Sequence, residues 1–272
     1  MKFIKYIYSE YKDDHLSYLS AQTSYFLLLS FIPFLIFLLT IIGSLNLPSD
    51  ELYHYLSSIL PAQSYLVISG ILSEVLETRS VNIPSLLLTL YFATKGVRAI
   101  VAALNKAYCE KESRSTPHLL FLSFVFTLIF VFILVLTLFS LVFGKIIGEI
   151  VFNYFHLYNQ FIILWEYFRY IITMVSMIVV FSFIYRRAPS CKEKIMLKEI
   201  IVGSVFTTIC WTIASSIFAF YVNNYNNSYV SLYGSLGGVF ALLIWLYISS
   251  TIIILGGEIN SYLYKKKKHL ID

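Results

Sequence analysis

Six stretches of this chain are long and apolar enough to cross a bilayer as helices, and this restricts the fold more than any other feature. A hydrocarbon core needs about 20 apolar residues in helical form. The stretches lie near 17–45, 84–107, 118–148, 161–185, 196–222 and 232–262. They are rich in Leu, Ile, Phe and Val with no period of two, which favours helices over barrel strands. Composition points the same way: 58% of residues are hydrophobic and 13% charged, against about 45–50% and about 25% in soluble domains. A single globule of this length cannot hide so much apolar surface. That argues against a soluble enzyme, a disordered chain, collagen and a disulfide scaffold. The expectation is an all-α polytopic membrane protein with six transmembrane helices in one membrane domain, 1–272. The first run is too long for a signal-peptide core and no small-residue cleavage site follows it, so it is kept as an anchor.

Orientation follows from Lys and Arg in the flanks. Lys2, Lys5 and Lys12 precede the first span, Lys106, Lys111 and Arg114 follow the second, and Arg186, Arg187, Lys192, Lys194 and Lys198 lie between the fourth and fifth. Lys265, Lys266, Lys267 and Lys268 follow the sixth. The opposite side carries Arg79 and Lys145 alone. Fifteen of the 20 cations thus alternate with the spans as an N-in, C-in protein requires. Cys109 and Cys191 fall on the cytoplasmic side and Cys210 within the fifth span, so no disulfide is expected, and their spacing fits no zinc motif.

The long first external connection, 46–82, begins Pro48-Ser49-Asp50-Glu51, a helix-start pattern. Leu52, Leu56 and Leu60, then Leu66, Ile68, Ile71, Leu72, Val75 and Leu76, predict two short amphipathic helices. They form either a lid over the bundle or the wall of a substrate vestibule. Three spans plus three would suit an inverted repeat, but the two halves share no visible sequence similarity.

Ionisable groups inside a span are costly and mark candidate sites. Lys95 and Arg98 share one face of the second span. Glu258 lies near the inner end of the sixth. Counting back from Lys106 and Lys265 puts Arg98 and Glu258 at one depth, where they pair as a structural clamp, a gate or part of a polar pathway. Glu166 and Arg169 are three residues apart in the fourth span, an intrahelical pair unless Arg169 faces an internal cavity. In the first span Ser17, Ser20 and Ser24 share a face, and Pro33 predicts a kink or a broken helix. Broken helices bind substrate in many transporters, whereas small hydroxyl residues also serve close packing. Gly144/Gly148 and Gly234/Gly238 are GxxxG pairs, read as helix packing. Tyr221, Tyr225, Tyr229 and Tyr233 read as an interfacial belt. Lys265–Lys268 suit anionic lipid or serve as the last topology signal. Lys12-Asp13-Asp14-His15 is a weak metal signal and reads better as a solvated helix end. No phosphate loop, nucleophile elbow or metal cluster is present.

An ordered set of residues in the C-terminal half carries a resemblance. Tyr185-Arg186-Arg187-Ala188-Pro189, Gly203, Trp211, Tyr221-Val222, Tyr233-Gly234-Ser235, Trp245-Leu246-Tyr247 and Leu255-Gly256-Gly257-Glu258-Ile259-Asn260 together resemble the YihY/virulence factor BrkB family. Ser30-Phe31-Ile32-Pro33 and Ala103-Leu104-Asn105 fit the same pattern, so the resemblance runs from about residue 10 to 262. Ala188 departs from the bulkier residue expected before the proline. The resemblance implies a bacterial inner-membrane protein with a role in export or lipid-related transport, in a family some of whose members carry a ribonuclease label. The residues argue against that label, for want of an acid–base or metal constellation and of a soluble basic domain. The leading expectation is a transporter or exporter of a small or lipidic, anionic or amphipathic molecule, not an enzyme. Ser24, Lys95, Arg98, Arg169 and Glu258 would line its polar pathway, without metal, cofactor or nucleic acid. The competing expectation is a membrane scaffold or envelope assembly factor whose buried charges only clamp helices. Membrane lipids are expected partners, and a homo-oligomer stays open.

Overall fold

A computed structural model describes residues 2–13, 15–44, 53, 69, 70, 73, 83–108, 112, 114–129, 131, 132, 158–191, 195–233 and 236–267. Among these no strand occurs, and the helices are α1 (Lys2–Asp13), α2 (Leu16–Ser44), α3 (Ile83–Ala107), α4 (Thr116–Ile129), α5 (Tyr158–Arg187), α6 (Leu197–Tyr233) and α7 (Leu236–Lys267). Four stretches are long and apolar enough to cross a membrane: Leu16–Leu38, Leu87–Ala107, Leu197–Tyr221 and Gly238–Lys267. Helix α5 has 30 residues. Helix α4 opens the third expected span, and the rest of that span lies outside the described residues apart from 131 and 132, as do Gly144, Lys145 and Gly148. The first external connection lies outside them too, apart from Tyr53, Ser69, Gly70 and Ser73, which are helical.

The side-chain pattern is that of helices in lipid. On α6, Ile209, Ile213, Ile217 and Phe220 recur on one face and stand exposed, while Ser204, Thr207 and Thr208 are buried behind them. On α5, Ile171, Val175 and Val179 are exposed in the same way. Water would penalise such faces, whereas hydrocarbon does not. The buried hydroxyls bond to their own helix: Ser204 Oγ donates to Ile200 O at 3.0 Å and Thr208 Oγ1 to Ser204 O at 2.9 Å. Small side chains inside and large apolar ones outside let membrane helices approach closely.

Two elements differ from the sequence expectation. Helix α6 continues through the Asn-rich stretch, read as a connection, and ends at Tyr233. No Gly or Pro lies between Gly203 and Gly234, and Asn costs a helix well under 1 kcal/mol per residue. Helix α2 runs unbroken from Leu16 to Ser44 through Pro33. A proline removes one backbone donor, and the remaining helical bonds persist where no water competes for them.

The chain divides into two compact units. One comprises Ser30–Thr94 and Phe124–Thr173; it buries Phe37, Leu38, Leu90, Ala93, Phe126 and Val131. The other comprises Met1–Leu29, Lys95–Ser123 and Met174–Asp272, and contacts within it fix the direction of each helix. Lys265 lies 4.0 Å from Glu10 and the Tyr6 and Tyr262 rings are 4.9 Å apart, while Leu16 packs on Ile254 and Ala103. Thus α1 lies beside the last turns of α7, and α2 starts beside Ile254. The Tyr108 and Tyr264 rings lie 5.9 Å apart, so α3 runs parallel to α7. Trp211 Nε1 donates to Ser249 Oγ at 3.1 Å, and Gly203 N donates to Asn260 Oδ1 at 2.7 Å. Helix α6 is therefore antiparallel to α7. Ser182 Oγ donates to Ser204 Oγ at 3.0 Å and Thr212 Oγ1 to Met174 Sδ at 3.8 Å, which makes α5 antiparallel to α6. These directions gather Lys12, Lys106, Arg114, Arg187, Lys198 and Lys265–Lys267 at one end of the unit.

Candidate functional site

The basic end is fastened by side chains that tie the connections to the helix ends. Asn105 Oδ1 accepts from Ser190 N at 2.7 Å and its Nδ2 donates to Glu112 Oε2 at 2.6 Å. Arg114 donates to Glu112 at 2.6 and 2.7 Å and to Ala188 O at 2.9 Å. The Arg114 hydrogen bonds hold the Glu112 carboxyl below its ordinary range. Glu199 reaches back to Met196 N at 2.8 Å, which caps the start of α6, and pairs with Lys267 at 2.9 Å. Two of the tail lysines thus engage carboxylates of the fold.

Deeper in the unit, Tyr185 is fully buried. Its hydroxyl donates to Ile253 O at 2.7 Å and lies 2.7 Å from Thr207 Oγ1. Gly203 and Gly256 face each other so closely that a Cβ on Gly203 would clash with the Gly256 carbonyl and the Asn260 amide. A Cβ on Gly257 would meet Leu104 Cδ2 at 2.5 Å. At the Gly203–Gly256 crossing, where a Cβ would meet helix backbone, only hydrogen fits.

Glu258 is fully buried, and Ser20, Ser24, Ser250, Asn260 and Ser261 are buried with it. Ser24 Oγ donates to Ala21 O at 2.8 Å. The Oγ atoms of Ser20, Ser215, Ser250 and Ser261 and the Tyr108 hydroxyl are buried with no hydrogen-bond partner among the described residues. A buried hydroxyl left unsatisfied costs about 1–3 kcal/mol. Burial pushes the Tyr108 hydroxyl well above its ordinary pKa, and Cys191, Tyr185, Glu199 and Glu258 push in the same direction.

Lys95 and Arg98 are half-buried on α3. The register corrects the depth expected for Arg98 and Glu258. Gly257 lies against Leu104 and Ala107, which puts Glu258 about 10 Å nearer the basic end than Arg98 at 1.5 Å per residue. Long lysine stems reach the interface from different depths, so Lys106 and Lys265 are poor rulers. Gly238 is a second correction: it is exposed and a Cβ there meets nothing within 4 Å. The close crossing of α6 and α7 lies instead at Gly203 and Gly256, near their other ends, where a buried amide and hydroxyl tie the helices together. Gly234 and the side chains of Glu166 and Arg169 lie outside the described residues. Among the described residues no three His, Cys, Asp or Glu side chains are grouped as a metal site, and His15 is exposed in a left-handed turn at φ 52° between α1 and α2.

The sequence reading missed Asn105, Tyr185, Gly203, Gly256 and Asn260 as a working group, although each belongs to the ordered set that carries the resemblance. The family model for virulence factor BrkB matches residues 7–271. The chain belongs to the virulence factor BrkB family. Among BrkB-family relatives, a Bacillus subtilis (strain 168) protein named as ribonuclease-like, YfkH, is 36% identical over 98% of this chain and 97% of its own length. A UPF0761 membrane protein of Aeromonas salmonicida is 24% identical, covering 98% of this chain and 90% of the relative. Another from Alteromonas mediterranea is 23% identical over 91% of this chain and 82% of the relative. No solved structure matches. This BrkB-family chain is therefore a membrane protein.

Proposed function

We propose that this protein carries a small or lipidic, anionic or amphipathic molecule across the bacterial cytoplasmic membrane. The observation that supports the reading is the set of buried polar groups in helices apolar enough to span a bilayer: Ser20, Ser24, Ser250, Glu258 and Ser261. Serines also serve close packing, so the carboxylate of Glu258 carries most of the weight, because an ionisable group at membrane depth is costly and favours a pathway. Lys95 and Arg98 give that pathway a cationic stretch suited to an anion. The reading has six spans with both termini in the cytoplasm, because the basic residues gather at one end and the positive-inside rule assigns that end. Anionic lipid headgroups at the Lys265–Lys268 tail belong to the same reading.

A scaffold role is the second reading, favoured by the tight Gly203–Gly256 crossing. The ribonuclease-like name of the Bacillus relative describes that protein; here catalysis is not part of the reading. The test is a deletion strain complemented with wild type, Glu258→Gln or Arg98→Gln at equal membrane levels. Cellular lipids and secreted solutes are then profiled by mass spectrometry. The transport reading expects a solute that builds up in the deletion strain, returns to normal with wild type and stays high with the variants. Identical profiles in all strains would favour the scaffold, and RNA cleavage by purified protein would overturn both.

A further inference from the structure

Helix α1 stands apart from the membrane helices in its chemistry. The sequence from Lys2 to Asp13 segregates apolar from polar residues far more sharply than α2, α3, α5, α6 or α7, and on average it is polar where they are apolar. With 12 residues it is also too short to cross a bilayer. A helix with these properties lies along a membrane surface. Contacts give it an inner side. The Tyr6 ring meets Tyr262 at 4.9 Å, and Lys265 Nζ donates to the Tyr6 hydroxyl at 3.4 Å and lies 4.0 Å from Glu10. The Tyr11 hydroxyl is 2.7 Å from Ser17 Oγ, and Tyr11 packs against the Leu16, Ala103 and Ile254 cluster.

The bundle covers only part of the apolar side. Tyr8 lies three residues before Tyr11 and shares its side of the helix, yet Tyr11 is half-buried and Tyr8 is 60% exposed. Ser9 and Lys12 are exposed as well, and Lys12 Nζ stands over the Tyr8 ring, 4.9 Å from its centroid. Lys266 stands over the Tyr262 ring at 5.9 Å, a second such pair at the same end. After α1 the left-handed His15, φ 52°, breaks the helix before α2 begins, so α1 is not a straight extension of the first span. Tyr18, on the first turn of α2, is 76% exposed and meets the His15 ring edge-on at 5.8 Å. Two uncovered tyrosines thus flank the turn. A tyrosine, with an apolar ring and a polar tip, is at home in a headgroup layer. The surroundings are positive: residues 2–14 and 265–268 hold seven lysines against three carboxylates.

We propose that α1 is an in-plane anchor on the cytoplasmic leaflet, with Tyr8 and Tyr18 in the headgroup layer and Lys12 against anionic lipid headgroups. The inference goes beyond the transport reading and takes from it only that the basic end is cytoplasmic. The helix is held from two sides. Lys265 and Tyr262 fasten it to the end of α7, and lipid covers the Tyr8 ring that the bundle leaves out. The apolar stem of Lys12 lies along that ring while its ammonium reaches the level of the phosphates. Net positive charge around the helix makes anionic headgroups the favoured cover.

The test uses the full chain with Cys109, Cys191 and Cys210 replaced by Ser, reconstituted in phosphatidylcholine vesicles with or without phosphatidylglycerol. A nitroxide is attached at Tyr8→Cys, Ser9→Cys or Tyr18→Cys, all at exposed positions. Its relaxation is read with oxygen, which partitions into lipid, and with a nickel chelate, which stays in water. With phosphatidylglycerol present, positions 8 and 18 are expected to favour oxygen and position 9 the chelate. Lys12→Gln should raise the phosphatidylglycerol fraction needed for half of the change at position 8 about fivefold, the effect of one lysine at an anionic surface. Equal chelate access at positions 8 and 9 would make α1 a helix in water and overturn the proposal. The same oxygen preference in phosphatidylcholine alone would overturn the part given to anionic lipid. The chelate is supplied on both sides and no transport is measured, so a failed anchor and a failed transport reading give different results.

Discussion

Replacing Gly203 with Ala tests the closest crossing in the protein. The added methyl would land against the Gly256 carbonyl and the Asn260 amide. Neither neighbour yields cheaply: one is helix backbone, and the other is held by the Gly203 N–H at 2.7 Å. Overpacking a tight core costs about 1–3 kcal/mol, and loss of the Asn260 hydrogen bond adds about 1 kcal/mol. The sum is about 2–4 kcal/mol, which for a domain of this size lowers Tm by roughly 4–16 °C. The same substitution at Gly238 supplies the comparison, because a Cβ there meets nothing within 4 Å. In that setting the helix preference for Ala, worth up to about 1 kcal/mol, acts alone. The assay is thermal unfolding of purified protein in one detergent, followed by size-exclusion fluorescence. Gly203→Ala should melt earlier than wild type, and Gly238→Ala at the wild-type temperature or slightly above. Equal shifts in both variants, or none in Gly203→Ala, would refute the close approach of α6 and α7.

Three further outcomes are expected. Tyr185→Phe removes the hydroxyl that joins Ile253 O to Thr207 and should cost about 1–3 kcal/mol in the same assay. Asn105→Ala frees Ser190 N and the Glu112 carboxylate, so protease should cut the connection after α5 faster while the helices stay protected. Glu112 has a depressed pKa, first through its Arg114 hydrogen bond; its contribution is present above the ordinary carboxylate range and is lost as pH falls through the lowered folded value. Protease cutting near Ser190 should therefore rise on acidification through that window, and Glu112→Gln should remove the pH dependence.

Four of the six expected spans coincide with helices long and apolar enough to cross a membrane, because hydropathy acts locally. Where α6 stops was not, since Asn223 to Asn227 look like a loop by composition yet contain nothing that breaks a helix. Glu258 stood out as a charge in an apolar run. Its depth relative to Arg98 did not follow from counting, because register between α3 and α7 is decided by which side chains interlock, here Gly257 with Leu104 and Tyr264 with Tyr108. The glycines give the same lesson. A GxxxG pair such as Gly234/Gly238 is visible within one helix, whereas Gly203 and Gly256 are single glycines on two helices and become a pair only in space. Ser20 and Ser24 stood out as a polar face of the first span, open to packing or to a substrate, whereas nothing in the sequence marked Ser250 or Ser261, whose lack of partners is visible only once the helices are packed.

The α6–α7 hairpin has a consequence for how the chain is made. Residues 200–257 contain no Asp, Glu, Lys, Arg or His, so the tip of the hairpin crosses the bilayer without dehydrating a charge. Its charged groups, Lys198, Glu199, Glu258 and the tail lysines, all belong to the open end. Both legs can enter together as one unit after the earlier helices are in place. The donors that close the crossing wait on the last leg: Gly203 N needs Asn260, and Tyr185 needs the Ile253 carbonyl. A ribosome that stops before residue 260 therefore leaves the two preceding helices without the partner that locks them. The second leg of the hairpin to be synthesised closes this crossing.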